Sequence, residues 1–321
     1  MTGEKTFLIT GGTGFLGSAL VAQLLAAGNK VRSLSRNEHA LERLTSSVLS
    51  HRESFSPLLG SVEDLPRLKK ALRGVDLVIH AAAQKIVPIA EYDPGSCIKT
   101  NVQGTINVAD ACLEAGVKRA VFISTDKASA PATLYGASKL CAERAWLASN
   151  RYSAGHGTEY VACRYGNVFA SKGSVLEAWE SALSQGKPMQ LTDPRCTRFS
   201  ITREEACAFV LDCLESASAG DLWIPKLPTY RIGDLCTAFM LAYGVKDLPA
   251  VTGLRLAEKL HEDLISQNES VACKEQDDMK YVLTPGVVRE RGGWGYSSGQ
   301  VGRQFGVEEL TRMVELWKGR G

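Results

Sequence analysis

A tyrosine and a lysine four positions apart, Tyr135 and Lys139, are the first residues in this 321-residue chain that suggest chemistry. On a helix they share one face, and the ammonium favours the phenolate of a tyrosine whose free pKa is about 10. A tyrosine with a lowered pKa can take a proton from a hydroxyl group. Thr125, upstream of Tyr135, offers a hydroxyl donor at the carboxyl end of a predicted strand. Ligands of open α/β sheets bind at that end of the strands.

Asp126 and Lys127 directly follow Thr125 and are the unusual part of this group. A simple dehydrogenase or epimerase needs no additional acid and base beside its tyrosine. Elimination of water needs one group that protonates a departing hydroxyl and another that removes a proton next to a carbonyl, and a carboxyl beside an amine can be tuned to both tasks. The alternative is a helix that starts with an aspartate followed by a surface lysine.

The first half of the chain alternates short apolar runs with longer helical stretches, which predicts βαβ units and a parallel sheet covered on both faces. The predicted strands are Thr6–Thr10, Lys30–Ser35, Phe55–Leu59, Leu77–Ala81, Arg119–Ser124 and Tyr160–Tyr165. The predicted helices are Gly14–Ala27, Val62–Leu72, Ile98–Ala115 and Ala137–Ser149. The fold class is therefore α/β, a Rossmann-type doubly wound sheet.

The loop after the first strand has the glycine spacing of a dinucleotide site, with Gly11, Gly14 and Gly17 between a strand and a helix. The glycines permit a tight turn and close backbone approach to a diphosphate, and the helix N-terminus offers N–H groups to the anion. An ordinary glycine turn is the alternative. The residues expected to contact the cofactor are Gly11, Thr13, Gly14, Phe15, Leu16, Gly17, Ser35, Arg36, Asn37, Ala81, Ala82, Lys85, Asn101, Tyr135 and Lys139.

The end of the second strand predicts NADP rather than NAD. An NAD site places an acid there to bind the ribose 2′-hydroxyl, but this strand ends in Ser35, Arg36 and Asn37. The Arg36 guanidinium would meet a 2′-phosphate with a planar fork of donors. A solvated arginine at a strand end is the alternative.

After residue 165 the strand and helix rhythm breaks, with prolines, a predicted helix at Val175–Gln185 and another at Ile232–Tyr243. We expect an NADP-binding domain over residues 1–165 and a mainly substrate-binding lobe over 166–321, with segments near 195–225 returning to the first domain.

Composition excludes several classes of protein. A net charge of +2 predicts no nucleic-acid binding, and no apolar run reaches the roughly 20 residues of a membrane span. The nine cysteines show no CxxC pair, so we expect reduced thiols and no metal site. The strand-like segment begins at Thr6 and leaves no room for a signal peptide, so a cytoplasmic location is expected.

Further motifs along nearly the whole chain resemble the extended short-chain dehydrogenases, and among them the inverting UDP-N-acetylglucosamine 4,6-dehydratases of the pseudaminic acid pathway, which are polysaccharide biosynthesis proteins. The matching stretches include 80–88, 91–94, 99–105, 124–128, 164–168, 173–175, 191–199, 224–226 and 258–262.

The resemblance implies that a UDP-N-acetylhexosamine is oxidised at carbon 4 by NADP+, loses its carbon 6 hydroxyl, and receives the hydride back at carbon 6. Tyr135 would deprotonate the carbon 4 hydroxyl with support from Lys139, Thr125 would orient the sugar, Asp126 would protonate the departing hydroxyl, and Lys127 would remove the carbon 5 proton. The substrate-binding residues it implies are Lys85, Asn167, Arg198, Arg255 and Glu258. A homo-oligomer, dimer or hexamer, is also expected.

Three departures from the family pattern stand out. The family's Gly-Asp after the third strand reads Gly60-Ser61, its asparagine two before the tyrosine is Thr133, and its Pro-Gly after an arginine reads Leu256-Ala257. Two other functions stay open: a UDP-sugar 4-epimerase or dehydrogenase of the same fold, and a cofactor-binding protein without catalysis.

Overall fold

The computed structural model describes residues 4–153, 157–289, 292–300 and 302–319. The strands are β1 (Thr6–Thr10), β2 (Lys30–Ser35), β3 (Phe55–Leu59), β4 (Leu77–His80), β5 (Arg119–Ile123), β6 (Glu159–Cys163), β7 (Asn167–Val168), β8 (Gln190–Leu191), β9 (Thr197–Ile201), β10 (Leu222–Pro225), β11 (Thr229–Arg231), β12 (Ala250–Val251), β13 (Asp263–Ile265), β14 (Cys273–Glu275), β15 (Lys280–Leu283) and β16 (Tyr296–Ser297).

The α-helices lie between these strands and at the end of the described chain. They are α1 (Phe15–Ala26), α2 (Glu38–Ser47), α3 (Leu65–Ala71), α4 (Val87–Tyr92), α5 (Pro94–Ile98), α6 (Gly104–Ala115), α7 (Leu134–Ala148), α8 (Val175–Ser184), α9 (Arg203–Ser216), α10 (Ile232–Tyr243) and α11 (Val307–Lys318). A π-helical segment, Lys99–Gln103, joins α5 to α6.

The central sheet has the order β14-β15-β10-β6-β5-β4-β1-β2-β3 and is parallel from β10 to β3. The predicted α/β doubly wound class is confirmed. The chain order reverses between β1 and β4, and such a switch point opens a crevice at the carboxyl ends of the strands. Buried apolar side chains of β1, β4 and β5 form the core beneath it.

A buried histidine forms hydrogen bonds at this switch point. His80 at the end of β4 hydrogen-bonds to Thr10 of β1 at 2.6 Å and to Thr105 of α6 at 2.9 Å. Burial, helped by the Lys139 charge, lowers the pKa of His80 to about 3, so the ring is neutral. These hydrogen bonds join the ends of β1 and β4 to α6 beneath the crevice.

The six strands predicted in the first half are all present, with ends that differ by at most two residues. The predicted helix at 137–149 begins earlier, at Leu134, because the Thr133 hydroxyl accepts a hydrogen bond from the Gly136 N–H and caps it. Tyr135 therefore lies on the helix itself. Helices α2, α4, α5, α9 and α11 were not among the predicted elements.

Segments after residue 165 contribute to both parts of the molecule. Strand β10 extends the central sheet beside β6, β15 and β14 continue it in antiparallel fashion, and α9 packs against α1. A separate apolar cluster joins α8, α10 and α11 around Trp179 and Phe239. Between the two parts, β9 pairs with β7 and β11.

Candidate active site

The glycine loop after β1 forms the floor of a cleft of about 460 Å³. Gly11 has a φ of +71°, and a Cβ there would lie 2.9 Å from the Ala82 backbone. A Cβ on Gly17 would lie 2.3 Å from the Gly11 carbonyl oxygen. Helix α1 starts at Phe15 without a side-chain cap, so its first N–H groups are free to bind an anion. The cradle fits the diphosphate of a dinucleotide.

All but one of the residues predicted to contact the cofactor line this cleft. They are Gly11, Thr13, Gly14, Phe15, Leu16, Gly17, Ser35, Arg36, Asn37, Ala81, Ala82, Lys85, Tyr135 and Lys139. Asn101 is buried behind the wall, where its amide binds the Gln84 backbone at 2.7 and 3.0 Å and the Ser138 hydroxyl at 3.0 Å. Asn101 thus braces the loop after β4 against α7.

At the end of the cleft beside β2, each predicted residue contacts a neighbouring side chain or backbone group. The hydroxyls of Thr13 and Ser35 lie 2.8 Å apart, and the Asn37 side chain caps α2 by accepting from the Ala40 N–H. The Arg36 side chain is half exposed, and its guanidinium lies 3.6 Å from the Glu63 carboxylate. Two hydroxyl groups, an amide and the Arg36 guanidinium therefore lie together at this end of the cleft.

Tyr135 does not have the lowered pKa that its spacing from Lys139 predicts. Burial raises the pKa of the phenol to about 12, and the Lys127 charge and a hydrogen bond with Thr125 only partly oppose that rise. Lys139 donates instead to the Ile123 carbonyl at 2.8 Å and lies over the Phe122 ring. The expectation of a lowered pKa is wrong for the protein alone, because burial outweighs the nearby cation.

Lys139 itself is strongly affected by its surroundings. Burial lowers its pKa to about 7, although the Glu143 carboxylate one turn along α7 opposes the effect. The lysine lines the cleft beside Tyr135. Its charge therefore varies near neutral pH.

Thr125, Asp126 and Lys127 form one connected group next to Tyr135. The Thr125 hydroxyl donates to Asp126 Oδ1 at 2.8 Å, and the Lys127 ammonium donates to the same oxygen at 3.1 Å. Asp126 is 1% exposed, and its Oδ2 is buried without a hydrogen-bond partner. A buried oxygen without a partner is rare in proteins, and a catalytic role is one of its recognised causes.

Lys127 also contacts a second carboxylate, that of Glu262, at 3.4 Å. Burial lowers the pKa of Lys127, but Asp126 and Glu262 outweigh it and hold the pKa well above its ordinary value. Lys127 is therefore an ammonium in the protein alone. The predicted role as a base requires that it first pass its proton to a neighbour, and Asp126 is the nearer carboxylate.

A family model described as "Polysaccharide biosynthesis protein" matches residues 7–284. The chain belongs to this family. An inverting UDP-N-acetylglucosamine 4,6-dehydratase of Campylobacter jejuni is 41% identical over 290 residues, which cover 89% of this chain and 85% of that protein. A UDP-glucose 4-epimerase of Rickettsia canadensis is 33% identical over 280 residues, with 86% and 82% covered.

Among solved structures, Pen from Bacillus thuringiensis superimposes on this family member with a TM-score of 0.90. The two chains are 30% identical, and the match covers 97% of this chain and 98% of Pen. The shared architecture therefore extends over both the Rossmann part and the smaller lobe.

In this family member, the predicted substrate residues of the smaller lobe form a second charged group. Arg198 on β9 donates to the Thr197 and Lys259 carbonyls at 2.8 and 3.1 Å and to Glu258 at 3.2 Å. Glu258 accepts a further bond from the Arg255 N–H at 3.1 Å. Most donors of Arg198 are thus in use, and its direct contact with a diphosphate stays a prediction.

Of the other predicted substrate residues, Lys85 lines the cleft, whereas Asn167 and Arg255 are not among the residues that line it. Asn167 begins β7, and its Oδ1 is buried without a partner. The Arg255 side chain is exposed. Lys85 lines the cleft, and its ammonium donates to the Lys172 carbonyl at 2.9 Å, so the loop after β4 meets the loop before α8 there.

Sequence reasoning did not assign three residues that the structure brings to the site. Ser124 lines the cleft, and its Oγ is buried without a partner. Glu262 contacts Lys127, and Glu63 contacts Arg36. Ser124 was detectable as the neighbour of Thr125 at the strand end, and Glu262 as part of a matched motif; Glu63 carries no sequence signal.

The three departures from the family pattern have local structural consequences. The Ser61 hydroxyl accepts from the Glu63 N–H at 3.2 Å, and Thr133 caps α7. Leu256 is fully exposed, and Ala257 has a φ of +61° in the turn before Glu258. None of these changes removes a side chain from the Thr125, Asp126, Lys127 group.

Within the described residues, no set of three or more histidine, cysteine or acidic side chains is arranged to hold a metal. In that same part of the chain, no helix has the length and apolar character that crossing a bilayer requires. The nine cysteines are unpaired, and all except Cys141 are buried.

Proposed function

We propose that the chain removes water from UDP-N-acetylglucosamine, with NADP as the resident cofactor and inversion at carbon 5. That it is a nucleotide-sugar dehydratase rests on its similarity to relatives of about 40% identity. The proposal adds the particular sugar, the NADP preference and the stereochemistry.

The observation that carries this proposal is the Asp126–Lys127 pair beside Tyr135. A buried carboxylate and an ammonium share a contact of 3.1 Å, and one carboxylate oxygen is left without a partner. An oxidation and reduction at carbon 4 alone would need only Thr125, Tyr135 and Lys139. A second acid and base pair at the same site fits elimination.

In the first step, Tyr135 takes the proton of the carbon 4 hydroxyl as the hydride leaves carbon 4. Tyr135, Lys139 and the other residues that line the cleft would hold a nicotinamide cofactor, which would supply the hydride acceptor and a positive charge near the phenol. Positive charge near the phenol favours the phenolate and opposes the rise in pKa that burial causes. Thr125 holds the sugar hydroxyl beside the phenol.

The ketone at carbon 4 makes the carbon 5 proton acidic. Asp126 and Lys127 then carry out the elimination of water. The Lys127 proton passes to Asp126 over their 3.1 Å contact once the substrate has excluded water, because a low-dielectric site favours the neutral pair. The Lys127 amine removes the carbon 5 proton, and the Asp126 carboxyl protonates the carbon 6 oxygen, which leaves as water. The hydride would then return to carbon 6, and a solvent-derived proton would add to carbon 5 on the face opposite to the one that lost its proton, which completes the reaction with inversion.

The test is incubation of the purified protein with UDP-N-acetylglucosamine and NADP in heavy water. Mass spectrometry should show the loss of one water, and NMR should show one deuterium at carbon 5. Lys127→Ala should abolish both signals, and Lys127→Arg, which keeps the charge but is a far weaker base, should not restore them. A Lys127→Ala variant that dehydrates and exchanges at the parental rate would refute the role of Lys127.

A 4-epimerase is the second candidate, since an epimerase from Rickettsia is 33% identical to this chain. Its product would retain the carbon 6 oxygen and the mass of the substrate. The same mass spectrum therefore separates the two reactions.

The NADP preference is supported by the cation at the end of β2. Arg36 lines the cleft and is half exposed, so it can reach a 2′-phosphate. Calorimetry should show tighter binding of NADP than of NAD, and Arg36→Ala should erase most of the difference. Equal affinities in the unmodified protein would contradict the assignment.

A further inference from the structure

The residue that would select NADP is already engaged by a carboxylate. Arg36 Nη1 lies 3.6 Å from Glu63 Oε1. The arginine side chain is 53% exposed, whereas that of Glu63 is 21% exposed. The arginine is thus the more exposed partner and Glu63 the more buried one.

Glu63 is held in place from the π-helical segment. The Thr100 hydroxyl donates to Glu63 Oε1 at 2.7 Å, and the Lys99 ammonium lies 3.4 Å from Oε2. The Thr100 hydrogen bond lowers the pKa of Glu63, with Lys99 and Arg36 adding to that effect against a partial opposing effect of burial. The carboxylate is therefore ionised and oriented at neutral pH.

This carboxylate lies directly behind two residues of the cleft wall, although Glu63 itself does not line the cleft. Arg36, Gly60, Val62 and Thr100 line the cleft; Glu63 pairs with Arg36 and accepts a hydrogen bond from Thr100. Among the described residues, the other ionised groups that face it are the Lys99 ammonium and the Arg36 guanidinium. A phosphate that enters the cleft beside Arg36 has to share Arg36 with Glu63 and meets its negative charge.

We infer that Glu63 is a specificity-determining residue that weakens the binding of NADP relative to NAD. A 2′-phosphate competes with the carboxylate for the Arg36 fork and is repelled by it, whereas a 2′-hydroxyl is uncharged and can donate a hydrogen bond to a carboxylate. The inference rests on the proposed NADP preference, which it narrows. Arg36 favours the binding of NADP over NAD, and Glu63 reduces the size of that preference.

The experiment is calorimetric titration of the parent and of Glu63→Gln with NADP and with NAD, at low salt because screening weakens charge effects. Removing one nearby charge should raise the NADP affinity by about three- to tenfold and leave the NAD affinity unchanged or lower. The matched control is Glu114→Gln, which removes an exposed carboxylate that pairs with Lys69 on α3. That control should leave both affinities unchanged.

The outcomes separate this inference from the proposed function. If the parent shows no preference for NADP, the role of Arg36 fails, but the Glu63 inference is still decided by the change in the affinity ratio. If Glu63→Gln leaves the ratio of NADP affinity to NAD affinity unchanged, or lowers it, the inference is overturned. Glu63→Asp, which withdraws the carboxylate by one methylene, should also raise this ratio. It replaces Glu63→Gln in the test if Glu63→Gln does not fold.

Discussion

Replacement of Glu269 by glutamine is expected to lower the free energy of unfolding by about 3 kcal/mol at pH 7, since it removes a carboxylate from a buried ionic network. Arg164 is fully buried and donates to Glu269 at 2.9 and 3.0 Å and to Glu143 at 2.7 and 3.1 Å. Ser129, just after the Asp126–Lys127 pair, donates to Glu269 at 3.0 Å. The network thus joins α7, the end of β6 and the loop that carries the pair.

The magnitude follows from the pKa of Glu269. Burial alone raises that pKa, but the Arg164 charge and hydrogen bonds from Arg164 and Ser266 outweigh it and lower the pKa from 4.5 to about 2. A carboxyl whose pKa falls this far on folding contributes about 3 kcal/mol above its ordinary pKa. Its side chain is only 10% exposed, so solvent screens little of this. Breaking one side of a buried ion pair typically costs a similar 3–5 kcal/mol.

The sign of the pH dependence provides the sharper test. The folded pKa is depressed, so the contribution is complete above about pH 4.5 and is lost as the pH falls toward 2. The difference between parent and Glu269→Gln should therefore shrink to less than about half by pH 3, because the parental carboxyl is then largely neutral in the unfolded state and partly neutral in the folded one.

The assay is urea unfolding followed by tryptophan fluorescence at pH 7 and pH 3. The control is Glu308→Gln on α11, whose pair with Arg312 is largely exposed and should change the stability by less than about 0.5 kcal/mol. An unfolding free energy of Glu269→Gln equal to the parent at pH 7, or a difference that does not shrink in acid, would refute the argument.

Three further predictions concern the cleft. Tyr135→Phe should lower kcat by about 10²–10⁴ in steady-state kinetics because the general base is lost, and parental turnover would make the tyrosine structural. Gly17→Ala should abolish cofactor binding by calorimetry, since its Cβ would lie 2.3 Å from the Gly11 carbonyl; parental affinity would contradict the cradle. Glu262→Gln removes one carboxylate that keeps Lys127 protonated, so the falling limb of kcat/KM against pH, where the Asp126–Lys127 pair loses its shared proton, should move to lower pH with NADP affinity unchanged, and an unmoved limb would exclude that coupling.

The residues that lie close together in sequence were predictable without the fold. The glycine loop, the order of the first six strands, and the Thr125, Asp126, Lys127 and Tyr135 group follow from local spacing, because strand periodicity and turn chemistry are read over a few residues. The glycine cradle lines the cleft as expected. The position of Tyr135 within α7 depended only on the Thr133 cap, which is also local.

What the tertiary structure alone decided is the electrostatic state of these groups. Spacing predicts that Lys139 lowers the pKa of Tyr135, yet burial raises that pKa, and the extent of burial is not encoded in spacing. Lys127 is kept protonated in part by Glu262, and Arg36 is engaged by Glu63, through contacts between chain segments that are far apart in sequence. A pKa depends on the whole dielectric and charge environment, which exists only once those segments have packed together.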